Sequence, residues 1–152
     1  MAYKAIRSRK CVESLELVNE NGEVEKIIQV EITTGKLADS LSRKYVELIR
    51  AQREMKQLSN DTDKKTEKMV ETYEHIGTIV LEMMEIVFGE KNTKEIMDFY
   101  ENDYVEIIQQ VMPFIINIIL PEVRSIAQEN KAKILEQYNR KNRRSVGRGM
   151  RS

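Results

Sequence analysis

Met69-Val-Glu-Thr-Tyr-Glu-His-Ile-Gly-Thr-Ile-Val-Leu-Glu-Met-Met-Glu-Ile-Val87 is the stretch whose spacing decides the fold. Met69, Tyr73, Ile76, Val80, Met83 and Val87 step alternately by four and three residues. That 3.5-residue repeat is the seam of a long helix packed along another. The opposite side carries Lys64, Glu67, Lys68, Glu71, Glu74, Glu82 and Glu85, a face suited to water. The helix is expected from about Thr62 to Phe88. Gly77, inside it, costs ~1 kcal/mol against Ala and marks either a close helix crossing or a weak point.

Upstream, Leu37, Leu41, Tyr45, Leu48, Ile49, Met55 and Leu58 recur mostly at helical spacing, and Ser59-Asn60-Asp61 ends that helix. Before it, Val12, Leu15 and Leu17 lead into Asn19-Glu-Asn-Gly22, and Ile28, Val30 and Ile32 keep a period of two. Asn21-Gly22 suits a tight type I′ turn, so residues 11–32 read as a β-hairpin, with Thr33-Thr34-Gly35 breaking the second strand. A lone hairpin is marginal in water, so it must pack on the helices or pair with another chain's sheet edge.

Downstream, Gly89 is read as the end of the long helix, and Asn92-Thr93-Lys94-Glu95 as the capping box of a short one bearing Ile96, Met97, Phe99 and Tyr100. Glu101-Asn102-Asp103 is the next break and cap. Tyr104 to Leu120 is apolar almost all round, the pattern of a buried helix, with a kink expected at Pro113. Pro121 opens a last helix to about Tyr138, with Val123, Ile126, Ala127, Ile134 and Leu135 facing inward. The fold class is therefore mainly α: a bundle of about five helices with a small N-terminal β-hairpin. The chain divides into a basic N-terminal arm (1–10), a single helical domain with its hairpin (11–138) and a basic C-terminal tail (139–152), which has too little apolar surface to offset its ordering entropy and is expected to be disordered.

The chain has 152 residues, one domain's worth, with 25 bases and 25 acids. The zero sum hides a division. The arm holds Lys4, Arg7, Arg9 and Lys10 and no acid; the tail holds Arg140, Lys141, Arg143, Arg144, Arg148 and Arg151 and no acid. Fifteen bases remain against 25 acids in residues 11–138, a body of charge −10.

One cysteine, Cys11, excludes an intramolecular disulfide and a thiolate zinc site, and one histidine, His75, excludes a multi-histidine metal site within one chain. Absence of Trp, with two Pro, argues against a carbohydrate-binding sandwich. Phosphate-binding glycine loops are missing, and Gly147-Arg-Gly149 is a poor substitute. His75 has Glu71 one turn before it but no nucleophile motif, and Cys11, beside Arg9 and Lys10 that would lower a thiol pKa, has no histidine partner suggested nearby. Asp98, Glu101, Asp103 and Glu106 match neither a calcium loop nor a di-iron bundle; capping, solvation or a small acidic recognition surface suit them better. No catalytic, cofactor or metal residues are expected, and the chain is not read as an enzyme.

The N-terminus lacks the apolar core of a signal peptide, and Val111 to Leu120 is short of the ~20 residues of a membrane span, so no membrane association is expected. The basic tail could contact phosphate, but it interleaves no aromatic and the acidic body opposes it, so nucleic acid is not a favoured partner. Met55, Met69, Met83, Met84, Met97 and Met112 lie in expected helices, as core or as an adaptable surface.

Phe88-Gly89-Glu90 through Ile96-Met97-Asp98-Phe99-Tyr100-Glu101-Asn102-Asp103-Tyr104, then Val111-Met112-Pro113-Phe114-Ile115, resembles small proteins from the tail-gene region of long-tailed bacteriophages and prophages of low-GC Gram-positive bacteria, generally taken to be tail assembly chaperones. The strand around Gly22-Glu23-Val24 and Val30-Glu31-Ile32 and the helix through Tyr45 to Arg50 fit as well, so the resemblance covers about residues 15–138. It implies a cytoplasmic protein of the host bacterium that coats the apolar tape measure protein, helps recruit tail tube subunits, self-associates and leaves before the virion is complete. In many such phages a frameshift adds a C-terminal extension, and the basic tail lies where one would begin. The resemblance brings no catalytic residues. Partner contacts are expected at Met69, Tyr73, Met83, Met84, Phe99, Tyr100, Tyr104 and Phe114, with the tail bases as a second set. The alternatives are a structural tail or connector protein kept in the virion, and a nucleic-acid-associated helical regulator.

Overall fold

Alternation in the first strands produces a hairpin: β1 (Cys11–Val18) pairs antiparallel with β2 (Val24–Ile32), Cys11 opposite Ile32 and Leu15 opposite Ile28. Period two puts Cys11, Leu17, Ile28, Val30 and Ile32 on one face, all buried, and leaves Val12 and Ile27 on the other, exposed. The computed structural model describes residues 2–33, 35–60 and 66–149, with side chains other than those of residue 60 and of 140–149. The expected helix start at Thr62, with Lys64, and the break residues Thr34 and Asp61 lie outside that set.

The connection between the strands is not the expected type I′ turn, which needs positive φ at both central residues. Within the loop, positive φ occurs only at Gly22 (81°). The Gly22 N–H donates to the Asn19 carbonyl at 3.0 Å, and the Asn19 side-chain oxygen accepts from the N–H groups of Asn21 and Glu23. Asn19 organises the loop from its first position, and the register irregularity at Leu17/Val18 accommodates the longer connection.

Among the described residues three long helices follow, not five. α1 is Lys36–Asn60 and α2 is Thr66–Phe99. α3 spans residues 104–149 as successive segments: Tyr104–Gln110, Met112–Phe114, a π turn at Ile115–Ile119, and Leu120–Gly149. Each extra end expected from a Pro is absorbed into a continuing helix. Gly89 does interrupt the helix: its backbone is non-helical (φ 78°, ψ 167°), so α2 consists of two segments, 66–88 and 90–99, that meet at a kink, and the second begins before Asn92 and Thr93, which are helical, not caps. Pro113 sits at the start of Met112–Phe114, where its missing N–H is tolerated, and the next turn widens to π spacing. Pro121 falls at the junction after that π turn. The break at 101–103 is as expected: Asp103 caps α3, its carboxylate accepting from the N–H groups of Val105 (3.1 Å) and Glu106 (3.4 Å).

The core lies where α1, α2 and α3 meet, with the hairpin laid across it, β2 on α2 and β1 on α3. The hairpin thus takes the first of its two options, packing on the chain's own helices. The α2 seam is buried from Ile76 through Ile79, Val80, Met83, Met84 and Val87, but Met69 is only half-buried and Tyr73 is 44% exposed. Leu41, Leu48, Ala51 and Leu58 of α1 and Ile107, Val111, Ile115, Ile119, Val123 and Ile126 of α3 complete it. Each fully buried Ile, Leu or Met contributes about 1.5–3 kcal/mol. Phe88 stacks on Phe114 with ring centroids 6.1 Å apart. Among the described residues, the helix from Tyr104 to Asn139 is long and apolar enough by composition to cross a membrane, but most of its apolar positions up to Ile126 are buried in the core, Val105 and Ile118 being exposed.

Beyond Ala127 the last helix leaves the core. Ile134 (67% exposed), Leu135 (52%) and Tyr138 (63%) stand in the open, where the first two were expected to face inward. Helical spacing creates an apolar face but does not supply a neighbour to cover it. The helical backbone runs on to Gly149, through most of the tail expected to be disordered. Residues 150–152 lie outside the described set.

Candidate interaction surfaces

Two turns distant in sequence come together at one end of the molecule. The hairpin loop brings Val18, Asn19, Glu20, Asn21 and Glu25 against Phe99, Tyr100, Glu101 and Glu106 at the α2–α3 junction, around an open cleft of about 460 Å³. Four of these residues are glutamates and none is basic. Asn19 Nδ2 donates to Glu25 Oε1 at 3.3 Å. Phe99 and Tyr100 meet edge to face at 4.9 Å, an arrangement that leaves ring surface at the cleft wall. Burial and the nearby Glu106 carboxylate raise the Tyr100 phenol above its ordinary value. Glu101 (φ 53°) and Asn102 (φ 61°) both lie in the left-handed region, which lets the chain reverse between α2 and α3 without a glycine.

Such a cleft is chemically a receptor for a cation: carboxylates supply charge and hydrogen-bond acceptors, and aromatic faces attract a guanidinium or ammonium. Asp98, also in the acidic group singled out in the sequence, does not line it, and Asp103 is occupied as a cap. Among the described residues no group of three or more His, Cys, Asp or Glu is arranged to hold a metal ion.

The expected contact residues separate into classes. Met83 and Met84 are fully buried and Phe114 nearly so; they are core. Tyr104 covers Gly77: a methyl group at that position would stand 3.7 Å from the ring, an ordinary contact. Gly77 therefore faces a side chain and marks no close backbone crossing. Phe99 and Tyr100 wall the cleft. Met69 and Tyr73 lie at the surface of the first turns of α2, beside half-exposed Val70. Of the tail bases, Arg140, Lys141, Arg143, Arg144 and Arg148 sit on the helical backbone with side chains outside the described set, and Arg151 lies outside it entirely.

A second polar cluster fastens the N-terminal arm. Arg9 donates to both Glu129 oxygens, at 3.2 and 3.0 Å, and lies 3.8 Å from Glu122. Arg9 holds the Glu129 carboxyl below its usual range, and Lys10, 2.7 Å from Glu31, does the same there. Glu13 is hydrogen-bonded to Glu122, and the pairing of two acids pushes its pKa up. Cys11 is pushed up to about 12, chiefly by burial and then by the Glu122 carboxylate; Arg9 pulls the other way and loses. The thiol is thus the opposite of the activated group that its basic sequence neighbours suggest. His75 is exposed and outside the α2 seam. Lys44 bridges α1 to α2 by its contact with Glu82, and Lys26 ties β2 to Glu95 of α2.

The sequence offers half of the cleft, Phe99 and Tyr100 as contact candidates and Glu101 and Glu106 as acids, but no local signal that Glu20 and Glu25 join them or that the far end of α3 projects. No protein-family model, curated protein or solved structure matches this chain.

Proposed function

We propose that the chain is a non-catalytic binding module, a tail assembly chaperone of a long-tailed phage or prophage, acting in the cytoplasm of a Gram-positive host. It holds the tape measure protein, helps recruit tail tube subunits and self-associates. The sequence block from Phe88 to Tyr104 and from Val111 to Ile115 supports the family. The observation that carries the binding role is the surface on the first turns of α2, where half-buried Met69 adjoins Val70 (51% exposed) and Tyr73. An apolar client helix needs such a surface, with a flexible Met able to repack against varied side chains.

Co-expression with the tape measure protein encoded nearby is expected to keep that protein soluble and to give a complex that co-purifies. Unchanged aggregation and no co-purification sink the reading. Two other readings make different predictions. A structural tail or connector protein would be present in stoichiometric amounts in purified virions by mass spectrometry. A nucleic-acid-associated regulator, favoured by the six bases after Asn139, would bind DNA or RNA in a salt-sensitive way that disappears when residues 139–152 are removed.

A further inference from the structure

The two ends of α3 are chemical opposites. Its start forms a wall of the acidic cleft, with Glu101 and Glu106 facing Glu20 and Glu25 across it and no base among the lining residues. Its far end leaves the core with Ile134, Leu135 and Tyr138 exposed, and from Gln137 onward the sequence has six bases and no acid. We propose that the projecting C-terminal end of α3 in one copy docks in the acidic cleft of a second copy, so that the protein associates head to tail. This rests on the self-association part of the reading above and not on the tape measure part.

Three observations carry it. The first is charge: a basic segment without acids meets a cleft without bases, and the Phe99 and Tyr100 rings add faces on which an arginine can stack. The second is the uncovered apolar row, since Ile134, Leu135 and Tyr138 gain burial only from a surface outside their own fold. The third is direction. α3 starts at the cleft and its helical backbone runs on to Gly149, so the basic segment sits at the end of the helix opposite its own cleft. The complementarity is therefore satisfied between molecules. Cleft and tail are different surfaces, so the contact is heterologous and repeats, giving an open filament or a closed ring.

Sedimentation of the full chain across a concentration series, at about 0.1 M and about 1 M salt, tests this, because the Debye length falls from ~10 Å to ~3 Å between them. Species larger than a monomer are expected at low salt, with association at least tenfold weaker at high salt. The cleft variant Glu20→Gln/Glu101→Gln/Glu106→Gln and the tail variant Arg140→Gln/Arg143→Gln/Arg144→Gln should each lose association by at least tenfold, with helical content unchanged by circular dichroism. Mixed, they should form a one-to-one dimer and stop, since one supplies an intact tail and the other an intact cleft. A chain that associates regardless of salt and of both variants overturns the contact but leaves self-association standing. A monomer at every concentration overturns both, as does a monomer whose tail instead shifts a labelled DNA duplex.

Discussion

Arg9 grips Glu129 with two hydrogen bonds across 120 residues of sequence, so the arm before β1 is fastened to the last turns of α3 that still touch the core. Exposed ion pairs contribute little each. Their value here is positional, because the same side chain also approaches Glu122, which in turn meets Glu13 and Cys11.

That cluster has a pH signature with two opposing signs. Glu129 and Glu31 have lowered folded-state pKa values, so their contribution is present above the ordinary carboxylate range and fades as pH falls through the lowered values. Glu13 has a raised value: its contribution is present below the ordinary range and is lost as pH rises through the raised value. Glu13→Gln keeps a hydrogen-bond donor for Glu122 without the second charge. It is expected to raise the Tm relative to wild type at pH 7–8, with a smaller difference near pH 4, whereas Glu129→Gln should lower the Tm at neutral pH. A Glu13→Gln protein less stable than wild type at pH 7 contradicts this account.

Cys11 is fully buried with its pKa near 12, so the nucleophilic thiolate is scarce at any physiological pH. The native protein at pH 8 is expected to resist a thiol-reactive chromogenic disulfide and to react stoichiometrically once unfolded in guanidinium. Labelling of the native chain at the rate of free cysteine would show that β1 is open.

Gly77 can take a methyl group at ordinary contact distance from the Tyr104 ring. Gly77→Ala should therefore gain helix propensity and stabilise the fold by up to ~1 kcal/mol, read from urea unfolding. A loss of stability would mean that Tyr104 cannot tolerate the contact.

Thr93 presents a different case, a hydroxyl 2% exposed as a residue and without a hydrogen-bond partner. Thr93→Val removes the unsatisfied oxygen at nearly constant shape and is expected to stabilise by ~1 kcal/mol. An unchanged or lower unfolding midpoint would place a bound water on that oxygen.

The parts of this fold legible in the sequence are those written in local periodicity. The alternation of Ile28, Val30 and Ile32 and the seam from Ile76 to Val87 each specify a buried face, and Asp103 announces its cap. Helix number is not legible in the same way, because Pro113 and Pro121 carry the chemistry of helix ends, yet a tolerated N-terminal position and a π turn let them pass within a helix. At Gly89 the expected break is present, as a kink inside α2. Ile134 and Leu135 have the spacing of a core face, and spacing carries no information on whether a neighbour exists. The aromatic walls of the cleft, Phe99 and Tyr100, are identifiable from sequence as contact candidates. Of its acids, Glu101 and Glu106 stand out in the sequence as part of an acidic cluster, but Glu20 and Glu25 do not, because they meet that cluster only after some eighty residues of chain have folded between them.

The π turn at Ile115–Ile119 has a geometric consequence for everything after it. Such a turn holds one residue more than a regular helical turn, and each helical residue advances the side-chain azimuth by ~100°. The widened turn takes up its extra residue without turning the helix further, so excising one residue there, such as exposed Asn117, is expected to restore uniform winding and leave Ile134, Leu135 and Tyr138 facing as they do now. Removing one residue from the regular helix beyond it would instead swing that row by ~100° and draw it in by ~1.5 Å. The π turn is thus a length buffer, a place where the chain can lose a residue without re-aiming the far end of the molecule.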